Sequence, residues 1–259
     1  MRDDDLRPGP TDPDREQARR LRLWGLLAVW DEMDPTLRRR LCDLHQSETR
    51  DRSMASRLAM SRLGRFKTMA DFDWGWPATI DRDGIEEMLR LGFMNEAANL
   101  ILVGPNGVGK SMIAHNIAYQ ALVAGHTVRF VKAGTMLEDL AAQDSAAARR
   151  QRLKQYTRPK LLAIDELGYL SYDNRYADLL FEVIEARHRK RSTIVTTNRP
   201  FSQWGEVFPN AACVVTLVDR LTNYSDVAEI HGSSYRLKEA EERRAGKSTT
   251  TPPQKGTPR

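Results

Sequence analysis

Through the last two thirds of the chain, short and almost unbroken apolar runs alternate with stretches whose apolar residues recur at helical spacing. The runs are Leu100–Val103, Thr127–Val131, Lys160–Glu166, Thr193–Asn198 and a shorter Val227–Ile230. Each is only a few residues long, the first closed by a Gly-Pro turn and the fourth by Arg199-Pro200, so they predict buried strands. Between them, Met112–Leu122, Thr135–Tyr156, Arg175–Arg191 and Val214–Leu221 predict helices. Strands alternating with helices, and apolar on both faces, predict a parallel sheet covered on both sides. The chain shows no internal repeat. The first third lacks such runs. Residues 1–14 are acidic and proline-rich and predict a disordered tail. Leu23, Leu26, Leu27 and Trp30 predict one short amphipathic helix over Arg15–Met33. Asp34-Pro35 predicts a helix start, and a long helix runs to about Leu63 with Leu37, Leu41 and Leu44 on one face. Gly64–Pro77 (GRFKTMADFDWGWP) breaks the pattern, its aromatics reading as core packing before base stacking. Asp81–Phe93, with Ile85, Met88 and Leu89, predicts one more helix. Residues 241–259 predict a second disordered tail. The domain reading is therefore a helical basic domain over 15–66 and an α/β domain over 67–240.

Composition changes this picture in one place. Charged residues make up 29% and hydrophobic ones 41% of the 259 residues, which suits a globular protein. No apolar run approaches a membrane span, and the N-terminus has no apolar secretory core. Cys42 and Cys213 are far apart without metal spacing and read as reduced thiols; a cytoplasmic location is expected. The net charge of +5 is mild, but its distribution is uneven. Arg38, Arg39, Arg40, Arg50, Arg52, Arg57, Arg62, Arg65 and Lys67 face only Asp43, Glu48 and Asp51 in the same segment, a local excess above that of the whole chain. A solvated helix face would look like this, and so would a surface that neutralises nucleic-acid phosphates. Because the excess is so local, these nine residues are the candidate DNA contacts.

The first apolar run leads into Gly104-Pro105-Asn106-Gly107-Val108-Gly109-Lys110-Ser111, the G-x-x-x-x-G-K-[ST] pattern of a phosphate-binding loop, set between a predicted strand and a predicted helix. Glycines let backbone N–H groups turn inward and approach phosphate oxygens without an intervening Cβ. The helix start aims further N–H groups and its positive dipole end at the same place. Lys110 supplies a charge toward the β- and γ-phosphates, and the Ser111 hydroxyl can ligate Mg2+. The third run ends in Asp165-Glu166, at the strand end where open α/β sheets place ligands. Asp165 is the candidate second Mg2+ ligand and Glu166 the group that polarises the attacking water. ATP and Mg2+ are the expected cofactors.

These motifs, with LLAIDELG over 161–168, TTNRP over 196–200, DRL over 219–221, GSSYRLK over 232–238 and KTMADFDW over 67–74, resemble AAA+ ATPases. Within that class the chain is similar to the IstB-type transposition helpers and their relatives, the DnaC-type helicase loaders, over roughly residues 35 to 240. The resemblance implies a three-layer AAA+ P-loop domain with a central parallel sheet, preceded by a small all-helical domain. The segment after Ile230 is too short for a full lid, so the lid is expected to be reduced or absent. It also implies that Asn198 helps place the lytic water, that Arg220 is an arginine finger reaching a neighbouring subunit's nucleotide, and that Arg236 contacts ATP in its own subunit. The function it implies is an ATP-hydrolysing helper that assembles as a homo-oligomer on duplex DNA and recruits or activates a transposase. A helicase loader and a nucleotide-gated scaffold remain the alternatives.

Overall fold

The computed structural model describes residues 12–169, 174–208 and 212–248. The chain divides into a smaller unit through Ser56 and a larger one from Arg57. In the smaller unit α1 (Pro13–Arg20) and α2 (Trp24–Ala28) are followed by a 3-10 turn (Trp30–Glu32) and by α3 (Pro35–Ser61), whose residues from Arg57 belong to the larger unit. Residues 15–33 thus form two helices and a turn, not the single helix expected. A straight helix of that length would extend about 28 Å and hold Trp30 far from Asp12. Instead the chain reverses at Arg22, whose φ is +57°, and the Trp30 indole N–H donates to Asp12 Oδ2 at 2.9 Å. That bond holds the Asp12 carboxyl below the usual carboxylate range. Trp30, Ala18 and Cys42 form the buried centre, flanked by Leu21, Leu23, Leu26 and Leu27. Asp12–Asp14, expected in the tail, open α1, where Asp12 Oδ1 caps the Asp14 N–H at 3.0 Å; residues 1–11 lie outside the described residues. Asp34 caps α3 by accepting from the N–H groups of Thr36 and Leu37. The Leu37, Leu41 and Leu44 side chains are exposed.

The larger unit is built on β1 (Asn99–Val103), β2 (Val128–Lys132), β3 (Leu161–Leu167), β4 (Ser192–Thr197) and β5 (Ser225–Glu229). They form one sheet in the order β2-β3-β4-β1-β5, and every pairing is parallel. The remaining helices are α4 (Arg82–Leu89), α5 (Lys110–Val123), α6 (Ala133–Ala141), α7 (Ala146–Thr157), α8 (Asn174–Arg187), α9 (Trp204–Val207), α10 (Val214–Thr222) and α11 (Tyr235–Ser248). The β4 strand lies between β1 and β3, so the strand ends that carry the phosphate-binding loop, Asn198 and the carboxylate pair are consecutive. Ile101, Leu162, Ile164 and Val195 are fully buried, against Leu137 and Leu140 of α6, Leu180 and Val183 of α8 and Leu217 of α10.

Three helical expectations are corrected. Residues 135–156 fold as two helices because Ser145 caps α7 and the chain doubles back. That reversal lets Arg152 of α7 reach both oxygens of Asp139 in α6, at 2.6 and 2.5 Å, while the Tyr156 hydroxyl donates to Oδ2 at 2.5 Å. Residues 241–248, assigned to the tail, are the last turns of α11, whose charges have partners elsewhere: Lys238 pairs with Asp73 at 3.0 Å and Glu239 with Lys67 at 2.6 Å. Residues 249–259 lie outside the described residues. The helix expected to reach Arg191 stops at Arg187, which is not part of an exposed basic end.

Arg187 is only 1% exposed. Its guanidinium donates to the carbonyls of Tyr156 (2.9 Å), Pro159 (2.9 Å) and Ser192 (2.5 Å), and to the Thr193 hydroxyl (3.0 Å). Longer bonds reach the carbonyls of Thr157 and Lys160. Burial, followed by the nearby charge of Arg191, lowers its pKa to about 9. One side chain therefore staples the loop entering β3 to the turn entering β4. Replacing it with methionine leaves several buried carbonyls without donors, each worth about 1–3 kcal/mol. Arg187→Met is expected to lower the urea midpoint followed by circular dichroism by the equivalent of about 3 kcal/mol or more, and an unchanged midpoint would refute the staple.

Candidate nucleotide site

The loop after β1 turns on Gly107 (φ +83°) and Gly109 (φ +105°), and α5 begins at Lys110. Close approach as well as backbone conformation requires these glycines. A Cβ on Gly107 would lie 2.1 Å from Ser234 Oγ, and one on Gly109 would lie 2.5 Å from the Phe72 ring. The loop is therefore walled on one side by the 64–77 connector and on the other by the turn entering α11. Both walls are hydrogen-bonded in place. Buried Asn116 of α5 donates to the Lys67 carbonyl (3.0 Å) and accepts from the Met69 N–H (3.1 Å). The Tyr235 N–H donates to the Gly107 carbonyl (3.0 Å), and the Trp76 indole to the Ser233 carbonyl (2.9 Å). Lys238 sits 4.5 Å above the Trp76 ring. The cavity between the walls is lined by Gly107–Met112 together with Phe72, Trp76, Tyr169, Tyr235 and Arg236.

Lys110 is buried, and its Nζ donates to the carbonyls of Gly104 (2.6 Å) and Pro105 (2.7 Å). Burial lowers its pKa to about 8; the charge of Asp165 opposes that shift and Arg236 adds to it. Across the sheet the Ser111 hydroxyl donates to Asp165 Oδ1 at 2.8 Å.

The carboxylate pair depends on an irregularity in β3. In a regular strand neighbouring side chains point to opposite faces, which would send Asp165 and Glu166 apart. Here Ile164 pairs with Val195 but Leu167 pairs with Thr197, so β3 carries one residue more than β4 in this interval. Glu166 takes up the extra length with a left-handed φ of +62°. Bulges of this kind re-aim side chains beside active sites. Thr196 of β4 pins it: its hydroxyl accepts from the Glu166 N–H (2.9 Å) and donates to Asp165 Oδ1 (2.5 Å). The Glu166 carboxylate is turned toward Lys132 Nζ, 2.8 Å away at the end of β2.

The residues singled out in the sequence are not all in one place. Gly104–Ser111, Asp165, Glu166 and Arg236 converge on the cavity and the strand ends beside it. Asn198 follows β4, and its Oδ1 is buried without a hydrogen-bond partner. Arg220 is outside the cavity lining, ion-paired to Glu185 of α8 beside the Phe181 ring. Of the basic residues in the smaller unit, Arg39 pairs with Asp14 (3.1 Å), Arg52 with Glu48 (3.3 Å), and Arg38 stacks on Trp30 (5.0 Å); Arg40 and Arg50 are exposed. In the larger unit Arg57 donates to the Leu122 carbonyl (3.4 Å) and Lys67 is paired with Glu239, whereas Arg62 and Arg65 are exposed. Phe72 and Trp76 are half-buried walls of the cavity, not the core packing expected of them, whereas Phe66 stacks on His115 (5.6 Å). Sequence reasoning missed Thr196, Lys132 and Tyr169. Thr196 opens the TTNRP motif and Tyr169 follows LLAIDELG, so both stood beside legible signals; Lys132 carried none.

A five-stranded parallel sheet with this strand order, a phosphate-binding loop after β1 and an acidic pair ending β3 defines the AAA+ class of P-loop folds. Residues 36–243 match the family of IstB-like ATP binding proteins, and the chain belongs to that family. It is similar to two insertion-sequence proteins to which ATP binding is ascribed. One, from IS21 of Pseudomonas aeruginosa, is 37% identical over 203 residues, covering 78% of this chain and 76% of the relative. The other, from IS5376 of Geobacillus stearothermophilus, is 32% identical over 200 residues, covering 77% and 80%. Among solved structures, DnaI has a TM-score of 0.54 at 17% identity, covering 68% of this chain and 92% of that one. The replication initiator DnaA bound to AMPPCP and single-stranded DNA also has a TM-score of 0.54 at 17% identity, covering 69% and 54%. At that identity these two likenesses concern the fold alone.

Two outcomes are expected. Thr196→Val keeps the side-chain shape but removes both pins; on the hydrolytic reading proposed below, ATP turnover should fall about tenfold, the equivalent of ~1.4 kcal/mol, while nucleotide affinity holds. Thr196→Ser should restore it; equal rates in wild type and the valine variant would sink the assignment. Phosphates favour the charged form of Lys110, so binding takes up a proton wherever the free lysine is neutral. Affinity for a fluorescent ATP analogue should therefore be flat below about pH 7 and fall as pH rises through 8, by up to about tenfold per unit. Lys110→Arg should bind without that dependence.

Proposed function

We propose that the chain is an ATP-hydrolysing, DNA-binding helper of a transposase that works as a homo-oligomer. The observation that carries the hydrolytic part is the bulge at Asp165-Glu166, which sets two carboxylates beside a phosphate-binding loop and ties one of them to Ser111. This donor set fits Mg2+: a hydroxyl and a carboxylate oxygen 2.8 Å apart at the start of α5, where both can turn to a hard cation. Ser111 and Asp165 would hold Mg2+, which when bound would neutralise charge on the β- and γ-phosphates. The N–H groups around Gly107–Ser111 and Lys110 would bind the phosphates, with Phe72, Trp76 and Tyr235 beside the base and Arg236 reaching in from α11. Glu166 would leave Lys132 to polarise water, and the unpartnered Asn198 amide oxygen would accept from the same water.

Arg220 lies outside the lining of its own cavity, paired with Glu185, which supports a role on a neighbouring copy's ATP. There it would exchange Glu185 for the γ-phosphate and make hydrolysis depend on assembly. The exposed arginines of α3 and of residues 62–65 support contact with the phosphate backbone of duplex DNA, and the insertion-sequence relatives support a transposase as the partner.

The test measures mass and duplex binding together, with and without a non-hydrolysable ATP analogue. An analogue-driven oligomer that holds duplex of any sequence supports the reading; a monomer that prefers single strands overturns it. Arg220→Ala should bind ATP normally and hydrolyse it about 10³-fold more slowly, as expected for a lost arginine finger. Normal turnover by that variant would remove Arg220 from the mechanism.

A further inference from the structure

The nucleotide cavity occupies the C-terminal edge of the parallel sheet. The opposite edge carries a second concentration of charge. The loops entering the neighbouring strands β2, β3 and β4 read Gly125-His126-Thr127, Arg158-Pro159-Lys160 and His188-Arg189-Lys190-Arg191. They hold five Arg or Lys residues and no carboxylate; the first acid along this edge is Glu96, in the loop before β1. Arg158, Arg189 and Lys190 are exposed, and Lys160 and Arg191 are half-buried. Elsewhere in this unit several cations are paired with carboxylates, as in Lys67–Glu239, Arg152–Asp139, Arg199–Glu206 and Arg220–Glu185. Among the described residues none of these five has a carboxylate partner.

Two further observations make this more than a solvated charge run. Arg187 lies directly beneath the loops, and its recorded partners are carbonyls and a hydroxyl, all neutral. Its charge is therefore uncompensated by a carboxylate and adds to the potential above it, while its hydrogen bonds fix the β3 and β4 loops against each other. Second, a groove lined by Arg62, Arg129, Gln155 and Arg158 joins this edge to the basic segment after α3. Arg129, at the start of β2, donates to the Met60 carbonyl (3.3 Å), and its Nε is buried without a partner.

We infer that the N-terminal edge of the sheet, built from Arg158, Lys160, Arg189, Lys190 and Arg191 and continued by Arg62, is a second binding surface for the phosphate backbone of duplex DNA. It rests on the DNA-binding reading above and adds a contact on the ATPase unit itself. Adjacent strands are about 4.8 Å apart, so three strand starts span about 10 Å, close to the ~12 Å width of a major groove between its phosphate rows. Cations on short, stapled loops with no projecting helix suit backbone contact without base readout.

The experiment uses the full chain with the non-hydrolysable ATP analogue and follows the anisotropy of a labelled random-sequence duplex across a salt series. The variant is Arg158→Gln/Lys160→Gln/Lys190→Gln; Arg189 is kept because its guanidinium packs 4.5 Å from the Tyr224 ring. Binding of a fluorescent ATP analogue, at the other end of the sheet, reports that the variant is folded. The expected result is at least tenfold weaker duplex binding at about 0.15 M salt, with the slope of log K against log salt reduced by about 2 to 3, as for the loss of that many phosphate contacts. Wild-type affinity and slope in a variant that still binds nucleotide would overturn this surface and leave the DNA reading standing. If wild type binds no duplex, both fall. Equal wild-type binding of polyglutamate and duplex, both lost in the variant, would reassign the edge to an acidic protein partner and overturn the DNA assignment. Should the triple variant fail to bind nucleotide, Arg158→Gln alone carries the test, with an expected slope reduction of about 0.9.

Discussion

Asp165 sits at the end of β3 with almost no exposure and accepts from the hydroxyls of Ser111 and Thr196. A buried carboxylate is costly unless its oxygens are satisfied, so these two bonds fix where β3, β4 and the start of α5 can stand relative to one another. The same Thr196 hydroxyl takes the Glu166 N–H and holds the backbone in a left-handed turn that glutamate does not favour. The strain at Glu166 is thus balanced by the bond that places its neighbour. Loop, acidic pair and Asn198 are brought together by one hydroxyl on the strand between them.

The sheet and its phosphate-binding loop were legible because their signals are local. Leu100–Val103 followed by the glycine-rich loop needs no distant information to read as strand, turn and helix start. Asp34-Pro35 worked for the same reason, since a cap acts within one turn. Where the reading failed, the deciding partner was far away in sequence. The break within residues 15–33 exists because Trp30 must return to Asp12. The split at Ser145 exists because Arg152 and Tyr156 must return to Asp139. Residues 241–248 are helical in a structure where Glu239, four residues before Arg243, meets Lys67. The candidate site divides along the same line. Its glycines, Lys110 and acidic pair were readable, whereas Lys132 and Thr196 act through the side-by-side placement of strands, which no spacing along the chain encodes. The direction of Glu166 was equally hidden, because a bulge is a property of two strands together.

The connector over 64–77 gains meaning from its neighbours. Asn116 ties it to the P-loop helix, and ion pairs from Lys67 and Asp73 tie it to α11. A segment that reads as an irregular link thus becomes one wall of the cavity, continuous in the chain with the end of α3. The short C-terminal helix supplies the opposite wall, with Tyr235 bonded to Gly107 and Trp76 bonded to Ser233.

Parallel strands also separate the two charged ends of the ATPase unit. Strands of five to seven residues put roughly 17–23 Å between them, more than two screening lengths at physiological salt. A triphosphate arriving at one end makes no direct contact with the other, so a message between them can travel through the strands themselves. The β3 strand is the rod best placed to carry it. It starts at a loop stapled by Arg187 and ends in a kink whose shape depends on one threonine, so a change in the kink would be felt as tension on the staple.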